Sequence, residues 1–177
     1  VMYDGSNLPL NQNIKNTSKI AKITNLYNVS LEGEVGIVGY YEGKISKGTN
    51  LNDAEEFSKN SGADAMAISV GNTHLQKKKI AKIDYQKIKK IEKVTNIPLV
   101  IHGSSGIKYS IRKKIARNTN VAKFNIGTEL RIVAGESLRK NFLKNPKEFD
   151  KLKLLKPTIN QIKKQTKKII SYFGPEI

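Results

Sequence analysis

The run from Ile97 to His102 constrains this chain more than any other stretch: a short, continuously apolar segment behind a proline position, ending in histidine and breaking at once into Gly103, Ser104, Ser105 and Gly106. Apolar side chains without alternation predict a strand buried on both faces, and a Gly/Ser cluster predicts a loop. His102 therefore falls at the carboxyl end of a buried strand. The pattern recurs, for Asp64 to Val70 is a second such run, followed by Gly71, Asn72, Thr73 and His74. The chain has 2 histidines, and each ends one of these runs.

Around them, strand and helix signals alternate. Residues 1–6 read as the tail of a strand entering a turn, and over 11–27 Ile14, Ile20, Ile23 and Tyr27 fall at roughly helical spacing. Residues 29–36 read as a strand, with Glu32 and Glu34 on one face by period-two alternation. The aperiodic stretch 40–52 is expected to be a mobile loop. Asp53 is expected to cap a helix reaching Lys59 and stopped by Gly62, before the strand at 64–70. Asp84 starts a helix whose Ile88, Ile91 and Val94 share a face, and Ser110 caps one running through Ala116. Residues 121–126 form a fifth strand, and helices over 129–143 and, beyond Pro157, over 158–173 complete the chain.

Five strands joined by helical connections imply a parallel α/β sheet, either open and doubly wound or closed as a barrel. Both architectures gather function at the carboxyl ends of strands. Here Asp4, Glu34, His74, His102 and Asn125 each stand at the end of a different strand. An open sheet concentrates its site at one switch point, so five consecutive contributions to one rim favour the barrel.

With 177 residues, 38% of them hydrophobic, the chain can bury a core, and residues 1–177 are expected to form a single domain. No apolar run approaches the length of a membrane-spanning helix, no leader pattern is visible, and there is no cysteine for a disulfide frame. A cytoplasmic setting without membrane contact is the expectation. The net charge of +17 invites a nucleic-acid reading. Yet arginine, which suits phosphate forks and base edges, occurs only at positions 112, 117, 131 and 139. Lysine on solvated helix faces accounts for the charge without a nucleic-acid partner.

Two imidazoles at strand ends, with carboxylates on nearby strands, can hold a divalent ion such as zinc and leave a position open to water or substrate. Either histidine alone reads more readily as a structural hydrogen-bonding residue than as a ligand. Gly103 to Gly106, and Gly127 with Thr128, each stand between a strand and a helix, where backbone N–H groups and hydroxyls can cradle a phosphate; the plainer reading is a tight turn.

Taken in series, Val1 to Ser6, Glu32 to Gly36, Ile68 to His74, Pro98 to Gly106 and Lys123 to Arg131 resemble the second part of the class II, zinc-dependent ketose-bisphosphate aldolases. The resemblance spans nearly the whole chain in the family's order. It implies a partial TIM (β/α)8 barrel of about five βα units, corresponding to strands four to eight, with the amino-terminal strands missing. His74 and His102 would be zinc ligands, Glu34 would lie at the metal and Asp4 would support the site. Gly103, Ser104, Ser105, Asn125, Gly127 and Thr128 would hold dihydroxyacetone phosphate through its phosphate and body. Zinc would polarise the ketone and acidify the neighbouring C–H for reversible aldol cleavage of a fructose or tagatose bisphosphate. A homodimer or homotetramer is implied for the full-length protein.

Departures from the family pattern are also present. Leu75 stands where the family commonly has glycine, which puts a backbone contact to phosphate or to a monovalent cation in question. Ser104 replaces a glycine, and Gly127 replaces an aspartate that in many members contacts substrate hydroxyls. The segment supplying the family's proton-transferring aspartate and another zinc histidine has no counterpart, so the 177 residues alone are expected to lack aldolase activity and to expose two sheet edges. Other readings stay open. One is a Schiff-base aldolase using Lys123, against which stands a plain salt bridge in the lower barrel layer; another is an inactive, truncated relative with a binding or structural role.

Overall fold

A computed structural model describes residues 1–40, 42–43 and 46–173 in two compact units, Val1–Asn125 and Ile126–Ile177. The first unit carries a parallel five-stranded sheet ordered β1-β2-β3-β4-β5: β1 (Met2–Tyr3), β2 (Glu32–Val35), β3 (Ala65–Ile68), β4 (Leu99–Ile101) and β5 (Val121–Phe124). Between them run α1 (Leu10–Leu26), α2 (Leu51–Asn60), α3 (Tyr85–Val94) and α4 (Tyr109–Asn118). Right-handed crossovers between sequential neighbours set every helix against the same face of the sheet. The opposite face is then free to become the inside of a barrel.

Alternation along the strands separates the two faces. Val35, Met66, Ile68, Leu99, Ile101 and Val121 pack with Phe57 of α2, Ile88 and Ile91 of α3 and Ile115 of α4 into one buried cluster. Gly33 belongs to this side, where a Cβ would stand 2.4 Å from Phe57 Cζ. Glu32, Glu34, Ala67, Val100 and His102 alternate with these residues and share the inner face. On β5 the register slips between Leu99/Val100, pairing Leu99 with Val121 but Val100 with Lys123. The extra residue, Ala122, keeps Val121 and Phe124 toward the helices and turns Lys123 inward.

Several local signals differ from the sequence reading. The helix expected to start at Asp53 begins at Leu51, because Asn50 caps it by accepting a hydrogen bond from the Asn52 N–H. The helix attributed to a Ser110 cap starts at Tyr109, with Lys108 at its N-cap and no side-chain cap. Asp84 caps α3 as expected, accepting from the Lys87 N–H at 2.9 Å. Of the loop expected at 40–52, residues 41, 44 and 45 lie outside the described residues. Its flanks are tied down by the paired backbones of Ile37 and Lys47 and by a bridge from Tyr40 to His74.

The second unit is a helical hairpin of α5 (Thr128–Lys144) and α6 (Lys151–Phe173). Gln165 donates to Glu129 and Asn141 to the Leu154 carbonyl, so early α5 meets late α6 and the helices run antiparallel. Pro157 was expected to precede the last helix but lies inside it. Proline removes one N–H from the ladder, and the Asn141 amide gives the preceding turn a hydrogen bond from the neighbouring helix. No helix among the described residues is long and apolar enough to cross a membrane.

Candidate active site

His102 closes β4 at 3% exposure, with both ring nitrogens against carboxylates of β2. Nε2–H donates to Glu32 Oε1 at 2.8 Å, and Nδ1 lies 3.1 Å from Glu34 Oε2. Burial works against the charged ring, but the bonds to Glu32 and Glu34 together outweigh it and raise the pKa from 6.5 to about 9. The contact skips a strand, since β3 lies between β2 and β4. It can do so because the residues that β3 turns to the interior, Ala65 and Ala67, and Ser69 just beyond its end, are small enough for an imidazole to reach over.

Glu32 is tied a second time, by Lys123 Nζ at 2.6 Å from Oε2. Burial would raise its carboxyl, yet the bonds from His102 and Lys123 hold it below the ordinary value. This ion pair is the plainer of the two roles considered for Lys123. An ammonium held against a carboxylate is a poor imine-forming nucleophile.

His74, half buried, stands with its ring centroid 5.9 Å from that of His102 and 5.2 Å from that of Tyr40. Burial, and next the nearby charge of His102, lower its pKa, while Glu34 and Asp4 pull the other way. A neutral imidazole is the form that binds metal. The strand ends are laced together behind it. Asn72, fully buried, donates through Nδ2 to the carbonyls of Ile68 and His102 and accepts from the Val70 N–H. Gly103, at φ +61°, passes so close to the next loop that a Cβ would meet the Thr73 carbonyl oxygen at 2.4 Å.

The other expected site residues of the first unit fall on the same rim. Asp4 accepts from the Ser6 N–H and hydroxyl, closing the turn after β1, and its charge is felt at His74. Ser104 and Ser105 lie buried in a single 3-10 turn over Ser104–Gly106, but the Ser104 hydroxyl is already bonded to the Ile101 carbonyl at 2.7 Å. Asn125 pairs its backbone with Ile101 and Ser104. Gly127 and Thr128 open α5 in the second unit, as N-cap and first residue. Sequence reasoning had not given Glu32 or Asn72 a role. Alternation with Glu34 was the signal available for Glu32; Asn72 carried none beyond its place before His74.

Two tetrahedral zinc ligands with Zn–N bonds of about 2.0–2.1 Å put their ring centroids about 5 to 6 Å apart. His74 and His102, at 5.9 Å, fit two positions of such an ion. Among the described residues, no three His, Cys, Asp or Glu side chains are arranged around a common point, and Glu34 contacts the His102 ring rather than completing a set.

The family model for class II fructose-bisphosphate aldolase matches residues 1–176. The chain belongs to this family. It is 34% identical over 179 residues to the 6-phospho-5-dehydro-2-deoxy-D-gluconate aldolase of Bacillus licheniformis, covering 98% of this chain and 60% of that protein. It is 33% identical over 168 residues to the fructose-bisphosphate aldolase of Geobacillus stearothermophilus, covering 92% and 58% respectively. Among solved structures it superposes on the YdjI aldolase of Escherichia coli K12 with a TM-score of 0.80 at 28% identity, covering 98% of this chain and 59% of that one. The fold of the Campylobacter jejuni fructose-bisphosphate aldolase is also shared, with a TM-score of 0.78 at 20% identity, 97% of this chain and 58% of that one being covered. This member of the aldolase family thus spans about 60% of the length of the curated relatives it matches, as five βα units of a barrel.

Proposed function

We propose that the protein carrying this chain is a zinc-dependent aldolase that reversibly cleaves a carbon–carbon bond of a phosphorylated sugar, with residues 1–177 forming part of one barrel domain. The observation that carries the reading is the approach of the His74 and His102 rings to 5.9 Å at the ends of adjacent strands. Bound between them, zinc supplies Lewis acidity to the substrate ketone. A further protein ligand comes from outside these residues, since catalytic zinc usually takes three.

The chain's own groups then have distinct tasks. His74 and His102 hold the ion, Glu34 adjoins it, and Asp4 keeps the β1 turn closed and adds negative charge. Gly103, Ser105 and Asn125 bind the phosphate and body of the substrate through backbone N–H groups, the Ser105 hydroxyl and the Asn125 amide; Gly127 and Thr128, which open α5, are assigned to substrate binding on the family resemblance alone. Ser104 is a weaker candidate for direct contact, its hydroxyl being engaged at Ile101. The setting is cytoplasmic and the assembly a homodimer or homotetramer.

Fructose or tagatose 1,6-bisphosphate is the first substrate reading, giving dihydroxyacetone phosphate and glyceraldehyde 3-phosphate. A second is the phosphorylated gluconate derivative in the name of the Bacillus licheniformis relative, which is similarly related to the chain. Assaying the full-length protein on all three compounds, with zinc and with chelator, tests both. Chelator-sensitive cleavage of one compound, lost in His74→Ala and His102→Ala, is the expected result. Cleavage that survives chelation, or an imine trapped by borohydride, would sink the zinc reading.

A further inference from the structure

The two carboxylates that flank His102 are not equivalent. Glu32 is held at both oxygens, by Nε2–H of His102 through Oε1 and by the Lys123 ammonium through Oε2. Glu34 meets the ring at the longer distance of 3.1 Å, and its charge reaches His74 as well as His102. The side of the ring bearing Nδ1 therefore faces Glu34, the carboxylate whose charge also reaches His74. The Nε2 side faces an ion pair, where a divalent cation would meet the positive charge of Lys123.

From this asymmetry, and resting on the zinc reading above, we propose that Glu32, anchored by Lys123, is a positioning residue that keeps the proton on Nε2 of His102 and so presents Nδ1 to the metal. A histidine ligand depends on the hydrogen bond at its other nitrogen to fix tautomer and ring orientation. A metal held at Nδ1 would take the position that Glu34 now faces, and the Nε2–H bond to Glu32 would be kept. Glu32 touches neither substrate nor metal. It was not among the residues singled out by resemblance, and Lys123 acquires a purpose other than imine formation. The β5 register shift matters here, since without Ala122 as the extra residue Lys123 would not face Glu32.

The test uses the full-length protein labelled with nitrogen-15 in histidine. In the zinc-loaded wild type, long-range proton–nitrogen correlations are expected to show His102 protonated at Nε2 and metal-bound at Nδ1; a metal bound at Nε2 would overturn the proposal without any variant. Zinc affinity measured by chelator competition should fall about 10- to 100-fold in Glu32→Ala, and less in Glu32→Gln, whose amide oxygen still accepts the Nε2–H bond. Lys123→Met should loosen the same ring and lower affinity, with circular dichroism reporting that each variant is folded. Affinity within twofold of wild type in folded Glu32→Ala would also overturn it. If wild type binds zinc and His102→Ala abolishes binding, such a result removes this inference alone. If wild type binds no zinc at His74 and His102, the functional reading falls and takes the inference with it.

Discussion

At Leu75 the backbone adopts φ +57°, a left-handed conformation that costs a side-chain-bearing residue about 1–2 kcal/mol. The family resemblance implies glycine at this position, next to His74, and the observed dihedral is one that glycine adopts without strain. Leu75 is 49% exposed, so little burial offsets the strain. Replacing it with glycine is expected to stabilise the protein by up to about 1 kcal/mol, while Leu75→Ala, which keeps a Cβ, should bring no gain; denaturant midpoints at constant m-value separate the two. His102 makes a second prediction at this scale. Its folded pKa of about 9 exceeds the unfolded value of 6.5, so its contribution is fully present below about 6.5 and is lost as pH rises through 9. For Glu32, held low, the sign reverses, and stability is lost as pH falls through its depressed pKa. Urea titrations of zinc-free protein should therefore show a decline of about 3 kcal/mol between pH 6.5 and 9. Zinc affinity should rise over the same interval, because the ion competes with a proton for the ring. A flat stability profile would remove the carboxylate pair as the cause.

Within elements, strand parity does most of the sorting. On β2 the even positions 32 and 34 point carboxylates inward, and Gly33 faces the helices because the Phe57 ring fills the space where a Cβ would go. Gly33→Ala is expected to destabilise by about 1–3 kcal/mol, and pairing it with Phe57→Leu should cost less than the two single changes summed. A double-mutant cycle in guanidinium checks this, and strict additivity would mean that the contact does not decide the residue. Much of this layout was legible beforehand. The alternation that put Glu32 beside Glu34, and the unbroken apolar runs of β3 and β4, are local signals that survive folding unchanged. Helix starts were less legible. Asn50, Asp53 and Ser110 are all competent caps, and only the path of the preceding loop decides which carboxamide, carboxylate or hydroxyl meets a free N–H. Pro157 inside α6 is the same case, a local breaker overridden by a neighbouring helix.

At the scale of the sheet, sequential parallel order with α1 to α4 on one face leaves the polar inner face bearing two carboxylates, an imidazole and an ammonium in contact. Such a face gains most from a closed barrel around it. Among the described residues two imidazoles stand 5.9 Å apart and no three candidate ligand side chains gather around a common point, short of the three protein ligands usual for catalytic zinc. Expressed alone, the 177 residues are expected to bind zinc more weakly than the full-length protein and to cleave no ketose bisphosphate. Isothermal titration and a coupled dihydroxyacetone phosphate assay measure both, and full turnover by the isolated chain would contradict the expectation.

The sequence by itself determined the five βα units, their parallel sense, the family and the rim occupied by His74 and His102, because each depends on periodicity and on residues adjacent along the chain. Only the tertiary structure decided how those rings are used. Glu32 and Lys123 are separated by 91 residues yet lie in contact. Their meeting requires small side chains on the strand between and a register slip on β5, and the same space lets His102 reach over β3 to Glu32. These are consequences of strand spacing and side-chain volume across the sheet, which no local pattern records.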